Sequence, residues 1–256
     1  MKLDLMIPVY NEETKLLRCL DTLRAFLAVQ PQLDCQIVIV DNGSQDRTLD
    51  ISRQMQRQFD NIRVVHLDLK GRGRALKYAW TESLADVRSY MDVDLSTDLE
   101  SFPVLIRALS KGEFDLATGS RLLGKSQTTR CLGRECLSRG YVMLLRRVLR
   151  FPLSDAQCGF KAITRRAAER LLPMVEDNDW FFDTELLVLA DRLGYRIFDL
   201  PVRWMEKPDS RVRIWRTVID DLKGVIRLRR QLAQGKASPR AVSKGLDLAA
   251  PSGPQA

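Results

Sequence analysis

Apolar positions along this chain fall into short strand-like runs alternating with stretches of helical period. Leu3-Asp4-Leu5-Met6-Ile7-Pro8-Val9-Tyr10 reads as a mostly apolar strand that leaves the core at Pro8. Leu16, Leu20, Leu23 and Leu27 then recur at helical spacing and mark one buried face, with Asn11 placed to cap a helix begun by Glu12 and Glu13. A second strand over 36–40 ends in Asp41-Asn42-Gly43-Ser44-Gln45-Asp46, whose Gly and Asx chemistry makes a turn into a helix near Thr48. A third strand over 62–65 precedes Lys70-Gly71-Arg72-Gly73-Arg74, which opens a helix through Ala75, Leu76 and Ala79. A further apolar run ends in Asp92-Val93-Asp94, a helix follows around 103–109, and a strand over 115–118 ends in Gly119-Ser120-Arg121. Strands alternating with helices predict a parallel, doubly wound α/β sheet, whose ligands sit beyond the carboxyl ends of the strands. Residues 8–12, 41–46, 92–98 and Arg121 all follow such ends, so they are expected to line one crevice.

The pattern changes downstream. Residues 130–150 are basic and apolar, with Tyr141, Leu144, Leu145 and Val148 on one helical face and arginines 130, 134, 139, 146, 147 and 150 around it. Residues 154–161 read as a turn into a strand. Trp180-Phe181-Phe182 reads as core before an apolar helix over 186–193, with Asp183 and Glu185 as acids at that helix's N-terminus. Residues 196–205 form the last strand. From 210 to 232 an apolar stripe of Ile214, Val218, Leu222, Val225 and Ile226 opposes arginines and Lys223, an amphipathic helix suited either to the core or to an anionic membrane. The Ala-, Ser-, Pro- and Gly-rich end is expected to be disordered.

A chain of 256 residues can bury one sizeable core, and one domain with an appendage is expected. Hydrophobic residues at 45% and charged residues at 29% suit a soluble globular protein. No run of about 18 apolar residues offers a membrane span, and Met1-Lys2 leads straight into a strand, so a cytosolic protein is expected. Five cysteines without a Cys-x-x-Cys pair, and His66 as the only histidine, argue against a structural zinc site and for reduced thiols. A net charge of +8 favours an anionic partner: nucleotide, phospholipid surface, polyanion or nucleic acid.

The chemistry centres on Asp92 and Asp94. At strand spacing their carboxylates point to one side, where they could hold a hard cation, Mg2+ or Mn2+, that fills its remaining positions with water or substrate phosphate. Gly71 and Gly73 could admit phosphate to the backbone. The segment nevertheless lacks both Gly-x-Gly-x-x-Gly and Gly-x-x-x-x-Gly-Lys-Ser/Thr, which disfavours a nicotinamide enzyme or an ATPase. Its bland reading is a solvated basic turn. Arg121, just past a strand end, offers a fixed guanidinium for a phosphate.

Taken in order, Ile7-Pro8-Val9-Tyr10-Asn11-Glu12-Glu13, Asp41-Asn42-Gly43-Ser44 with Asp46 and Thr48, Gly71-Arg72-Gly73, Met91-Asp92-Val93-Asp94, Gly119-Ser120-Arg121 and Gln157-Cys158-Gly159-Phe160-Lys161 resemble the family 2 glycosyltransferases of the GT-A fold. More narrowly the chain resembles the polyprenyl-phosphate sugar transferases, over about residues 3 to 215. The resemblance implies a single Rossmann-like domain over 1–209 with a mixed, mostly parallel sheet, a basic amphipathic helix over 210–234 and a tail over 235–256. It implies a nucleotide-sugar donor, UDP-glucose or GDP-mannose, and a polyprenyl phosphate acceptor, dolichyl or undecaprenyl. Pro8, Tyr10 and Glu12 would hold the nucleoside with Asp41 at the base, while Val93 and Ser96 join the donor site. Asp92 and Asp94 would bind the metal, and Arg211 would clamp the diphosphate. Arg121, Arg134 and Ser138 would receive the lipid phosphate. Phe182-Asp183-Thr184-Glu185 resembles the glucosyl branch.

Two positions depart from the family pattern. Asn42 stands where an aspartate is usual, which removes an acceptor for ribose or base, and Arg211 stands where lysine is usual. The expected reaction is a single inverting displacement, with Asp94, Asp155, Arg121 and Arg134 as its catalytic groups. Asp155 would position the acceptor or act as base toward a hydroxyl. The expected location is the cytoplasmic face of a membrane, held peripherally, with no nucleic-acid partner. The alternatives are a transferase acting on a soluble hydroxyl or glycan, and a non-catalytic basic module that binds membranes.

Overall fold

The structure, a computed structural model, describes residues 1–129, 131–206 and 214–235. In chain order the elements are β1 (Lys2–Val9), α1 (Leu16–Ala28), β2 (Asp34–Asn42), α2 (Thr48–Gln58), β3 (Ile62–Leu67), α3 (Arg72–Glu82), β4 (Val87–Met91), α4 (Ser101–Ser110) and β5 (Leu116–Ser120). There follow β6 (Gln127–Thr129), α5 (Leu132–Leu149), β7 (Phe160–Thr164), α6 (Arg165–Leu171), α7 (Phe182–Arg192), β8 (Ile197–Pro201), β9 (Arg203–Met205) and α8 (Ile214–Ala233).

A seven-stranded sheet runs in the order β3-β2-β1-β4-β7-β5-β8. Its pairs are parallel except those made by β7, which lies antiparallel to both β4 and β5. The mixed, mostly parallel α/β sheet expected from the sequence is therefore present. Along β1, Leu5 and Ile7 join a core layer with α1, α2 and α4, while Met6 joins the opposite layer with α3, α5, α6, α7 and α8. Strand alternation divides the two layers.

The winding reverses beside β1, because the chain builds β2 and β3 on one side of it and then returns to place β4 on the other. Such a switch point opens a crevice at the carboxyl ends of the strands. Here β1 stays paired with β2 as far as Val9 and Asp41, whereas its pairing with β4 stops at Met6 and Tyr90. Pro8, which has no N–H to donate, lies where β1 and β4 part.

Three local expectations are corrected. α1 starts at Leu16 behind a turn in which Lys15 N and Leu16 N both donate to Glu12 O, so Asn11 does not cap it. The expected last strand divides at Val202: β8 extends the main sheet, and β9 pairs with β6 in a separate ribbon. α8 does pack on the core, but Asp221, Gly224, Val225 and Leu228 face inward while Ile219, Leu222 and Ile226 face out. Polar and small residues set that rotation. Arg227 reaches the buried Glu185 Oε2 at 2.8 Å, and a Cβ on Gly224 would come within 2.4 Å of the Phe181 ring.

Candidate active site

The loops after β1 and β2 are tied together before any ligand is considered. Asn11 adopts a left-handed backbone (φ 55), its N–H donates to Ser44 Oγ at 3.0 Å, and its Oδ1 accepts from Gln45 N at 2.8 Å. Glu12 N donates to Thr48 Oγ1 at 2.8 Å. These bonds hold Tyr10 and Glu12 beside the end of β2, with Lys70 Nζ 3.8 Å from the centre of the Tyr10 ring. Asp41 is fully buried there. His66 Nδ1 lies 2.7 Å from its Oδ2, and its Oδ1 has no hydrogen-bond partner among the described residues. An orphaned buried carboxylate oxygen is costly, and a ligand N–H would satisfy it. Asn42 is occupied differently, since its Oδ1 accepts from Gly71 N at 2.8 Å and fixes the entry to α3.

Asp92 and Asp94 do not sit on a strand. The β4–β7 ladder ends at Met91 and Phe160, and the chain then turns, with Leu95 N donating to Asp92 O at 3.0 Å and Leu95 in the left-handed region at φ 48. A leucine there stores local strain, as residues at ligand sites often do. The carboxylates are thus brought together by a turn rather than by strand alternation. Asp94 Oδ1 accepts from Ser96 N at 2.9 Å, and Ser96 Oγ is buried without a hydrogen-bond partner among the described residues. Val93 packs against the core layer of α1 and α4. The Asp92 carboxylate lies over Gly159, where a Cβ would come within 1.7 Å of Oδ2, so only glycine leaves the seat open. Burial, reinforced by Asp94 and opposed by Arg72, holds the Asp92 carboxyl above its ordinary range.

The donor chemistry of this pair suits a cation. Both donors are hard oxygens, and each acid keeps an oxygen outside the hydrogen bonds to Arg72 and Ser96. Their mutual repulsion is what a divalent cation relieves. Among the described residues no group of three or more His, Cys, Asp or Glu converges as a metal site, so the protein offers two carboxylates and leaves the other positions to ligand or water. Mg2+ or Mn2+ fits such a set.

Beneath the acidic turn lies a buried ionic network that includes Arg72, from a segment the sequence leaves open between a phosphate contact and a solvated turn, and Asp183, which the sequence offers as a helix-start acid. Arg72 bridges Asp92 Oδ1 (3.0 Å) and Asp183 Oδ2 (2.7 Å), and the buried Lys161 Nζ lies 3.1 Å from Asp183 Oδ1. Tyr90 OH donates to Asp183, and the rings of Trp80, Tyr90 and Phe182 pack behind it. Burial would raise Asp183, but Lys161 and then Arg72 hold its carboxyl below the ordinary range. Two cations alternate with two anions, which satisfies the charges and fixes Asp92 from below. The sequence signal was available in the Gly71-Arg72-Gly73 and Gly159-Phe160-Lys161 motifs. What it lacked was the partner across 111 positions.

On the other side of β7, Arg121 forks onto Asp155. Nε donates to Oδ2 at 2.7 Å, NH2 to Oδ1 at 3.0 Å, and the backbone N to Oδ2 at 3.1 Å. Burial works against Asp155 ionising, yet Arg121 overrides it and holds the carboxyl at about 2. Such a group is a poor base near neutral pH. Arg134, in the first turn of α5, pairs with Glu206 at 2.6 Å, and Ser138 follows one turn later. Arg121 and Arg134 therefore each carry a carboxylate partner, and the β6–β9 ribbon connects their neighbourhoods through Thr128 Oγ1 donating to Arg121 O and Glu206 N donating to Thr129 O. Arg211 lies outside the described residues.

A doubly wound sheet with a buried acid, a carboxylate pair and a seated arginine along one carboxyl edge has its charged side chains where open α/β sheets bind ligands. The chain belongs to glycosyl transferase family 2, whose profile matches residues 4–172. It is 38% identical over 224 residues to glycosyltransferase AglD of Haloferax volcanii, covering 86% of this chain and 35% of that protein. It is 30% identical over 226 residues to dolichyl-phosphate beta-glucosyltransferase of Drosophila melanogaster, covering 83% of this chain and 69% of that protein. The chain thus spans about a third of AglD and about two thirds of the glucosyltransferases. Among solved structures, glucosyl-3-phosphoglycerate synthase from Mycobacterium tuberculosis in complex with UDP superposes with a TM-score of 0.67 at 19% identity, over 89% of this chain and 80% of that one. The fold is GT-A.

Proposed function

We propose that this protein transfers a hexose, glucose, from a nucleotide-diphosphate sugar to a polyprenyl phosphate with inversion at the anomeric carbon. The observation that carries the reading is the fork of Arg121 on the buried Asp155, Nε to Oδ2 at 2.7 Å and NH2 to Oδ1 at 3.0 Å, which occupies both carboxylate oxygens. A carboxylate so occupied cannot serve a hydroxyl acceptor well, whereas a phosphate acceptor arrives already ionised and needs orientation rather than deprotonation. This favours lipid phosphate over a soluble hydroxyl or glycan. The kinship to dolichyl-phosphate glucosyltransferases supports glucose, and UDP-glucose is favoured over GDP-mannose as donor.

Asp41 Oδ1 would accept from the base, with Tyr10 and Glu12 around the nucleoside. Asp92 and Asp94 would hold Mg2+ or Mn2+, which supplies positive charge to the leaving diphosphate; related solved structures carry Mn2+ with UDP-glucose, or Mg2+ with UDP. Arg121 NH1, left over from the fork on Asp155, would turn the acceptor phosphate toward the anomeric carbon. The phosphate oxygen forms the new bond to that carbon, and the old bond's electron pair leaves with the nucleotide diphosphate.

Membrane access would be peripheral. Among the described residues no helix is long and apolar enough to cross a membrane. The outward residues Leu222 and Ile226 line a groove of about 430 Å³ between α5 and α8, with Leu144, Val148, Arg229 and Arg230, while Met143 and Ile219 are exposed on the same two helices. Apolar side chains beside arginines suit an anionic bilayer at the cytoplasmic face. The test is a donor panel, UDP-glucose and GDP-mannose among others, against a short-chain polyprenyl phosphate and soluble sugars, with Mn2+ or Mg2+. Label entering a soluble acceptor alone refutes the reading.

A further inference from the structure

We infer that Asp221 of α8 is a positioning residue for the acceptor side of the site, acting through Gln157 and Asp155 on Arg121. Gln157 links two parts of the molecule. Its side-chain Nε2 donates to Asp221 Oδ2 at 2.8 Å, and its backbone N donates to Asp155 Oδ1 at 3.1 Å, the oxygen that also accepts from Arg121 NH2. The same loop carries Gly159, the seat of Asp92.

Asp221 is an expensive residue for merely docking a helix. It is 4% exposed, and its Oδ1 has no hydrogen-bond partner among the described residues. An apolar side chain of similar size would dock α8 at lower cost. Its surroundings are acidic: Asp220 on its own helix, Asp177 ahead of α7 and Asp183 on α7, with Tyr141 facing it from α5. Of the cations on α8, Lys223 pairs with Asp220, and Arg227 is committed to Glu185 and Asp177. Burial, reinforced by those acids and opposed by Gln157, pushes Asp221 up to about 7. What it contributes is thus the directed acceptor for Gln157, a role that a neutral amide fills equally well.

The inference rests on the polyprenyl-phosphate reading for its kinetic part only. In the full chain, Asp221→Leu and Gln157→Leu are each expected to raise KM for a short-chain polyprenyl phosphate by about tenfold. The donor KM should stay within about twofold, while Asp221→Asn remains near wild type. Hydrogen exchange of the amides at 155–159 provides a readout that needs no catalysis: faster in Asp221→Leu, unchanged in Asp221→Asn. Gln157→Leu keeps the test alive should Asp221→Leu fail to fold. Wild-type exchange and acceptor KM in a folded Asp221→Leu would overturn the inference, as would equal damage from Asp221→Asn. Absence of transfer by the wild type would instead sink the proposed function, and the exchange comparison would still decide the role of Asp221.

Discussion

The proposed donor and acceptor halves of the crevice differ in how their charges are balanced. On the donor half, Asp41 Oδ1 and Ser96 Oγ are buried without hydrogen-bond partners among the described residues, and Asp92 and Asp94 repel one another. On the acceptor half, Arg121 and Arg134 already hold Asp155 and Glu206. Arg72 balances Asp92 and is shared with Asp183, so Asp94 and the two orphaned oxygens are what a nucleotide and cation would satisfy; the other half is preset by its own counter-ions. Ligand binding should therefore stabilise the donor half most, and mutation should unbalance the acceptor half most.

The strongest way to break this contrast is to remove a donor-half carboxylate. Asp94→Ala should lower kcat by about a thousandfold with little change in melting temperature, because it deletes charge stabilisation of the leaving group while relieving a repulsion. Chelation of divalent metal should give the same loss in wild type, reversed by Mn2+ or Mg2+. Next, Arg121→Ala should cost roughly 3 kcal/mol of stability in urea unfolding, since Asp155 would be left buried and unpaired. The pH dependence carries the same signature. Asp155 is depressed to about 2. Its contribution is therefore present above the unfolded value near 4, and it is lost as pH falls from about 4 through about 2. Arg121→Ala should remove that acid slope.

Gly159→Ala tests whether the seat of Asp92 matters, because the added methyl would fall 1.7 Å from Oδ2. Displacing that carboxylate should lower kcat by about a hundredfold and weaken Mn2+ binding measured by titration calorimetry. The smallest effect is expected for Glu206→Gln, whose ion pair with Arg134 is partly solvated. Stability should change by less than about 1 kcal/mol, while KM for the lipid phosphate should fall a few-fold as Arg134 is released.

Strand ends made most of the site legible in the sequence. The loops at 8–12, 41–46 and 92–98 and Arg121 do gather along one sheet edge, because alternating strands and helices leave few other topologies. What stayed hidden depends on distance along the chain or on backbone detail. A fork between Arg121 and Asp155 spans 34 positions and has no local pattern. Asp92-Val93-Asp94 was compatible with a continued strand, and the turn is set by Leu95 in a left-handed conformation that no glycine announces. The apolar stripe of α8 turns inward only in part: Val225 is buried, but Leu222 and Ile226 face out, because Gly224 against Phe181 and Arg227 on Glu185 decide which face packs.

The most direct test is the product itself. Incubating the full chain with labelled UDP-glucose, Mn2+ and a short-chain polyprenyl phosphate should release UDP and carry label into the organic phase as a β-linked glucosyl phosphate, seen by the anomeric coupling in NMR. Loss of that product in both Asp94→Ala and Arg121→Ala would tie it to the two halves of the crevice. An α-linked product, or label that stays in the aqueous phase on a hydroxyl acceptor, would contradict the account.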